Sequence, residues 1–179
     1  MLSLNAVIIR KKLGSIRPNL YRMAYAWCGS RELADDLVQE TIVKSLEKSH
    51  QLKNIDKIAP WCYRILHNCW LSHLRSLKPD VDIDDVVLIC EDCPEKSYRN
   101  MVASEAIQAA ISKLPVGQRK VLMLIDLEGF SYREVADILS IPVGTVMSRI
   151  SRARSALEKS LASFRDRESG TVTKLRSIT

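Results

Sequence analysis

The 179-residue chain has little of what builds turns, aromatic cores and catalytic centres: six Gly, six Pro, two Phe and three His. So few Gly and Pro exclude a collagen-like or low-complexity chain. Long apolar runs are missing too. The longest stretch without Asp, Glu, Lys or Arg is the eleven residues 138–148, against roughly 20 needed to cross a bilayer, so no membrane insertion is expected. Residues 1–9 are mildly apolar but lack a basic leader and a small-residue cleavage site, so no signal peptide is expected. The expected compartment is cytoplasmic, with the five cysteines reduced. Enzyme chemistry finds no Gly-rich phosphate cradle and no complete metal-ligand set. His50, His67 and His73 have no nucleophile and orienting acid beside them. No catalytic residue, metal or other cofactor is expected.

Charge of both signs is present, but it is unevenly spread. Residues 1–78 carry 13 basic and 6 acidic side chains, residues 79–98 carry 1 and 7, and residues 99–179 carry 13 and 8. Two basic blocks therefore flank an acidic strip. Basic blocks of this size suit a polyanion, because each neutralised phosphate releases counterions, and they equally suit an ordinary solvated surface. Motifs have to decide between the two.

Helical periodicity runs through the chain and no alternating apolar–polar run supports a sheet, so the expected fold class is all-α. A first helix is predicted over residues 5–28, with Pro18 as a candidate interruption and Gly29-Ser30 as its stop. A second covers 31–49. It buries Leu33, Ala34, Leu37, Val38, Thr41, Ile42 and Leu46, and leaves Asp36, Gln39, Glu40, Val43 and Glu47 on a mostly acidic face. Residues 50–59 read as a loop containing Lys53, Asn54 and Lys57. Pro60 then opens a helix to about Leu77, on which Trp61, Arg64, Asn68, Ser72 and Arg75 share one stripe. Residues 79–98 read as an acidic linker. Helical signal returns at about Arg99, stops at Pro115 and restarts over 116–128, giving a second small helical domain over 99–165 and a tail over 166–179.

Ser131 with Glu134 forms a capping-box pattern ahead of a short helix, Tyr132 to Leu139. After the turn Ser140-Ile141-Pro142, a helix from Val143 to about Phe164 places Val143, Val146, Ile150, Ala153 and Leu157 inward, with Thr145, Ser148, Arg149, Arg152 and Ser155 on the other side. Two helices, a tight turn, and Arg and hydroxyl side chains facing outward describe a helix-turn-helix, although any amphipathic helical hairpin imitates that spacing.

The residues themselves go further. Leu114-Pro115-x-x-Gln118-Arg119, Gly129-Phe130-Ser131-Tyr132-x-Glu134-Val135-Ala136 and Ile141-Pro142-Val143-Gly144-Thr145-Val146-x-Ser148-Arg149, followed by Arg152-Ala153-Arg154, closely resemble region 4 of extracytoplasmic-function (ECF) sigma factors, members of the sigma-70 superfamily. Ala34-Asp35-Asp36-Leu37-Val38-Gln39-Glu40-Thr41 resembles region 2 of the same family, as does Trp61-x-x-Arg64-Ile65-x-x-Asn68 with Leu74-Arg75. The resemblance implies a protein that binds core RNA polymerase and directs it to promoter DNA. It implies core polymerase contact through Asp36, Gln39, Glu40 and Val43. For the −10 element it implies Lys53, Asn54, Trp61, Arg64, Asn68 and Arg75, although a tryptophan at helical spacing also reads as core. For the −35 element it implies Ser148, Arg149, Ser151 and Arg152 toward bases and Arg119, Tyr132, Thr145 and Arg154 toward phosphates. An anti-sigma factor is an expected partner. The acidic linker would thread the polymerase channel.

Two departures stand out. Ser72 replaces an Asp common in the family, and Met147 stands where relatives often carry a basic residue, which alters affinity or base preference. Cys90 and Cys93 form a lone CxxC, open to a metal or redox role or to none. Cys62 and Cys69 lie two helical turns apart, about 10 Å, too far to bridge. The alternative to the sigma reading is a helix-turn-helix regulator acting without polymerase.

Overall fold

In the computed structural model of the protein, residues 4–77, 107 and 109–176 are described, with side chains over 8–77, 107 and 109–162. All regular structure among them is helical, as the periodicity required. The expected linker and the Cys90–Cys93 pair lie outside the described residues.

Helix α1 spans Leu4–Cys28 and runs unbroken through Pro18. A proline inside a helix costs about 3 kcal/mol. Here Leu13 on one side of Pro18 and Leu20, Met23, Ala24 and Trp27 on the other are all buried, and their packing outweighs that cost. Gly29, at φ +72°, ends α1, and Ser30 caps α2, Arg31–Glu47, by accepting the Leu33 N–H. Two short 3-10 turns, Ser49–Gln51 and Ile55–Lys57, lead into α3, Ile58–Leu77. The three helices pack on one another around Trp27, Leu37, Val38, Tyr63 and Leu66.

In the second half residues 109–112 are helical, the helix stops before Pro115 as predicted, and α4, Val116–Leu122, follows and passes into a π-helical turn, Met123–Leu127. The sequence predicted one continuous helix to Glu128. Instead the Glu128 N–H reaches back five residues to the Met123 carbonyl, at 3.2 Å. Helix α5 covers Tyr132–Leu139 as predicted, and α6 covers Val143–Arg176. The expected end at Phe164 is overrun, so helix enters the segment read as a tail; no proline interrupts it, and Arg, Glu and Lys favour helix. α5 packs on α3 and α4 on α1, so one apolar core is continuous through both halves.

Candidate nucleic-acid interface

The helix-turn-helix is fixed by local chemistry. The Ser131 hydroxyl accepts the Glu134 N–H at 3.3 Å, and the Glu134 carboxylate accepts the Ser131 N–H at 3.1 Å, so two unpaired donors at the start of α5 are satisfied reciprocally. Val135, Ala136, Ile138 and Leu139 go into the core. Ser140 then takes a left-handed conformation, φ +54°, and its N–H returns to the Ala136 carbonyl, which turns the chain sharply into α6.

Along α6, Val146, Ile150 and Ala153 are buried at spacings of four and three. Ser148, Ser151 and Arg152 are thereby exposed, while Thr145 and Arg149 are half-buried beside them. The Ser148 hydroxyl donates to the Thr145 carbonyl, leaving its lone pairs outward. Tyr132 is exposed at the start of α5. Arg154, expected at phosphate, is engaged: its guanidinium donates twice to the Asp126 carboxylate, at 2.6 and 3.3 Å, and ties α6 to the π-turn.

Arg119 corrects the sequence reading. Expected at a phosphate, it is 1 % exposed and lies in the core. It donates to the Ala26 carbonyl at 2.7 Å, to the Leu114 carbonyl at 3.0 Å and to the Ser112 carbonyl. These carbonyls belong to helix ends, which a fork of cationic donors satisfies well. Nothing in the local sequence marks it as internal, because Ala26 lies 93 residues away.

In the first half Arg64, Asn68, Ser72 and Arg75 are all exposed, so the predicted stripe of α3 exists. Trp61 is half-buried and packs against the core, leaving part of the ring outside. Lys53 and Asn54 are exposed in the loop before α3. Asn54 also caps the Ile55–Lys57 turn by accepting the Asp56 N–H at 2.8 Å, which holds its side chain in one place. On α2, Asp36, Gln39, Glu40 and Val43 are all exposed, and Val43 is 53 % exposed. Lys44 pairs with Glu40 at 2.6 Å one turn along, and that hydrogen bond raises the lysine pKa.

Residues 14–79 match the family described as Sigma-70 region 2, and residues 104–157 match Sigma-70, region 4. The chain is 34% identical over 140 residues to the ECF RNA polymerase sigma factor EcfG of Rhodopseudomonas palustris (strain TIE-1), covering 78% of this chain and 77% of that one. The chain belongs to the ECF sigma factors. It is also 32% identical over 157 residues to the sigma factor SigW of Bacillus subtilis (strain 168), covering 81% and 84%. Its fold superposes on the sigma factor RpoE of Bartonella quintana, solved in complex with the anti-sigma factor NepR, with a TM-score of 0.72 and 29% identity over 86% of this chain and 96% of that one.

In this sigma factor the two halves touch through pairings that the sequence did not announce. Lys57, at the end of the loop before α3, donates to Glu134 of the helix-turn-helix at 2.8 Å. The Asn19 amide donates to Glu128 at 3.1 Å, and Phe130 meets Tyr63 edge-on at 5.3 Å between ring centres. The Lys120 ammonium, buried, sits 5.5 Å from the centre of the Trp27 ring, within cation–π range. The Lys57 bond, followed by those from the Ser131 backbone and hydroxyl, holds the Glu134 carboxyl down at about 2. Every one of these pairs is distant in sequence, and no local pattern announces them.

Cys62 and Cys69 are buried as free thiols, with Cys62 pushed up to about 11 by that burial. Among the described residues no group of His, Cys, Asp and Glu could hold a metal ion, and no helix is long and apolar enough to cross a membrane.

Proposed function

We propose that this ECF sigma factor binds core RNA polymerase in the cytoplasm and directs promoter-specific initiation, using its first half (1–78) for polymerase and the −10 element, and its second (99–165) for the −35 element. It acts as a specificity subunit and not as a catalyst in itself. The observation that carries the reading is that one chain presents three separate exposed faces in the family's order: the acidic face of α2, the stripe of α3 with its preceding loop, and the outward side of α6.

The roles follow from chemistry. Asp36, Gln39, Glu40 and Val43 form a face with too much negative charge for DNA and an exposed apolar residue, which suits a protein partner. On α3, Arg64 and Arg75 suit phosphates and Asn68 a base edge. Lys53 and Asn54 suit the rim of a pocket for an extruded base, with the open part of Trp61 as a stacking surface. On α6, Ser148, Arg149, Ser151 and Arg152 reach toward base edges, with Thr145 and Tyr132 at the backbone. Arg154 contributes through the Asp126 pair that steadies α6. Arg119 plays no part in contact. The likeness to a sigma factor solved with its anti-sigma factor supports a similar partner here.

The Lys57–Glu134 bond brings the −10 loop to the helix-turn-helix. Elements named for positions about 25 base pairs apart are separated by about 85 Å of B-form DNA. Reading both at once therefore requires the halves to part, and the 29 residues 78–106 reach about 95 Å when extended.

Run-off transcription from a genomic fragment library, with core polymerase with and without the protein, tests the proposal. New transcripts sharing −10 and −35 elements are expected, reduced about tenfold or more by Asn68→Ala at one element and Arg152→Ala at the other. No new transcripts, together with specific DNA binding by the protein alone, would refute it.

A further inference from the structure

Val146 and Ile150 face inward on α6, 0 % and 3 % exposed, so the residue directly after Val146 is swung about 100° from it, away from the core. That residue is Met147, 53 % exposed. A single exposed apolar side chain on an ordinary helix needs no explanation. This one lies five residues into α6, within the N-terminal part of a recognition helix that reaches base edges. Together with Tyr132, Ile150, Ser151 and Arg154 it lines an open groove of about 370 Å³. Its neighbours on the outward side of the helix, Ser148, Ser151 and Arg152, are polar or cationic, so Met147 is an exposed apolar side chain set among groups suited to DNA.

The chemistry of the side chain narrows what it meets. A thioether has no hydrogen to donate and accepts weakly, so it pairs neither with the O6 and N7 acceptors of guanine nor with a phosphate. In the major groove the apolar group on an unmodified base edge is the C5-methyl of thymine. Methionine is unbranched and adapts to such a surface without strain. We infer that Met147 is a specificity-determining residue that selects a thymine in the −35 element through its methyl group. The inference rests on the proposed reading of that element by α6.

Deoxyuridine differs from thymidine only in lacking this methyl, so it isolates the contact. Each thymine of the −35 element in a promoter found by the run-off experiment is replaced singly by deoxyuridine, and open-complex formation by the holoenzyme is measured at limiting concentration. At one position the replacement is expected to cost the wild-type holoenzyme about fourfold, the worth of one buried methyl group. Met147→Ala should lose a similar factor on the unmodified promoter and show no further loss with deoxyuridine there, while Met147→Leu keeps the discrimination. The inference is overturned if no position responds to deoxyuridine, or if the response is unchanged in Met147→Ala. It is overturned as well if Met147→Ala weakens binding to core polymerase or another protein and not to the promoter. Insensitivity to every change in the −35 element would instead bring down the underlying reading, and base substitutions at that element, run alongside, distinguish this case.

Discussion

Replacing Arg119 by Ala removes a guanidinium from the middle of the protein, and the structure sets the size of the effect. Three backbone carbonyls, those of Ala26, Ser112 and Leu114, lose their cationic donor. A buried acceptor left unsatisfied costs about 1–3 kcal/mol. Relief of the desolvation of the charge offsets part of that sum, which leaves about 3–5 kcal/mol, comparable to breaking a buried ion pair. For a chain of this length each kcal/mol moves the melting temperature by about 2–4 °C, so a fall on the order of 10–15 °C is expected. Thermal unfolding followed by circular dichroism reads it, with affinity for a −35 duplex measured well below the melt. Arg119→Lys sharpens the test. Lysine would preserve a phosphate contact but cannot fork between helix ends, so it should destabilise nearly as much as Ala while leaving DNA affinity in the folded protein unchanged. An unaltered melting temperature with lost affinity in Arg119→Ala would refute the burial argument and return Arg119 to the DNA surface.

Other consequences are as direct. The Glu134 carboxyl sits at about 2 in the folded protein, below its value of 4.5 in a free chain; a depressed pKa adds stability that is complete above the unfolded value and is lost as pH falls through the folded one. Wild-type stability should therefore decline between about pH 5 and pH 2 more steeply than that of Glu134→Gln, as chemical denaturation across that range would show, and equal slopes would exclude the contribution. Lys57→Glu should loosen the contact between the halves and raise the radius of gyration in small-angle scattering, with Lys57→Glu/Glu134→Lys restoring the compact form. Ser140→Gly should stabilise by about 0.5–1 kcal/mol, because the left-handed conformation penalises a Cβ; a loss of stability would show that the hydroxyl matters more than the backbone. With Cys90 and Cys93 replaced by Ser, Cys62 and Cys69 should react with a thiol reagent at neutral pH only as fast as the protein unfolds.

Short-range features were legible from the sequence. The Ser131–Glu134 capping box, the bounds of α5, the turn at Ser140 and the inward Val146, Ile150 and Ala153 of α6 depend on residues within a few positions of one another and appear as read, whereas Val143, expected inward, is 40 % exposed at the first position of α6, before the helix has packed on its neighbours. The exposed face of α2 and the stripe of α3 follow from periodicity alone. What escaped was set by contacts across the chain or by tertiary packing. Pro18 stays helical because distant apolar partners hold both sides of it, and Arg119 is internal because its acceptor on α1 arrives only when the halves meet. Lys57 and Glu134 lie 77 positions apart, and nothing around either one distinguishes a clasp from a solvated charge. The extra residue of the π-turn is equally silent, since Met123–Leu127 reads as a continuing helix.

That turn determines where the reading helix points. One residue beyond the α-helical repeat rotates everything downstream by about 100°. In this register Leu127 is turned out to solvent, 64 % exposed, and Asp126 faces Arg154. Deleting Leu127 would remove an exposed side chain and let the segment relax to regular helix. It would also swing α5 and α6 to a new bearing on α4 and separate Asp126 from its arginine. A protein shortened by that one exposed leucine would keep every side chain proposed to touch the −35 element, and would present them to the wrong stretch of groove.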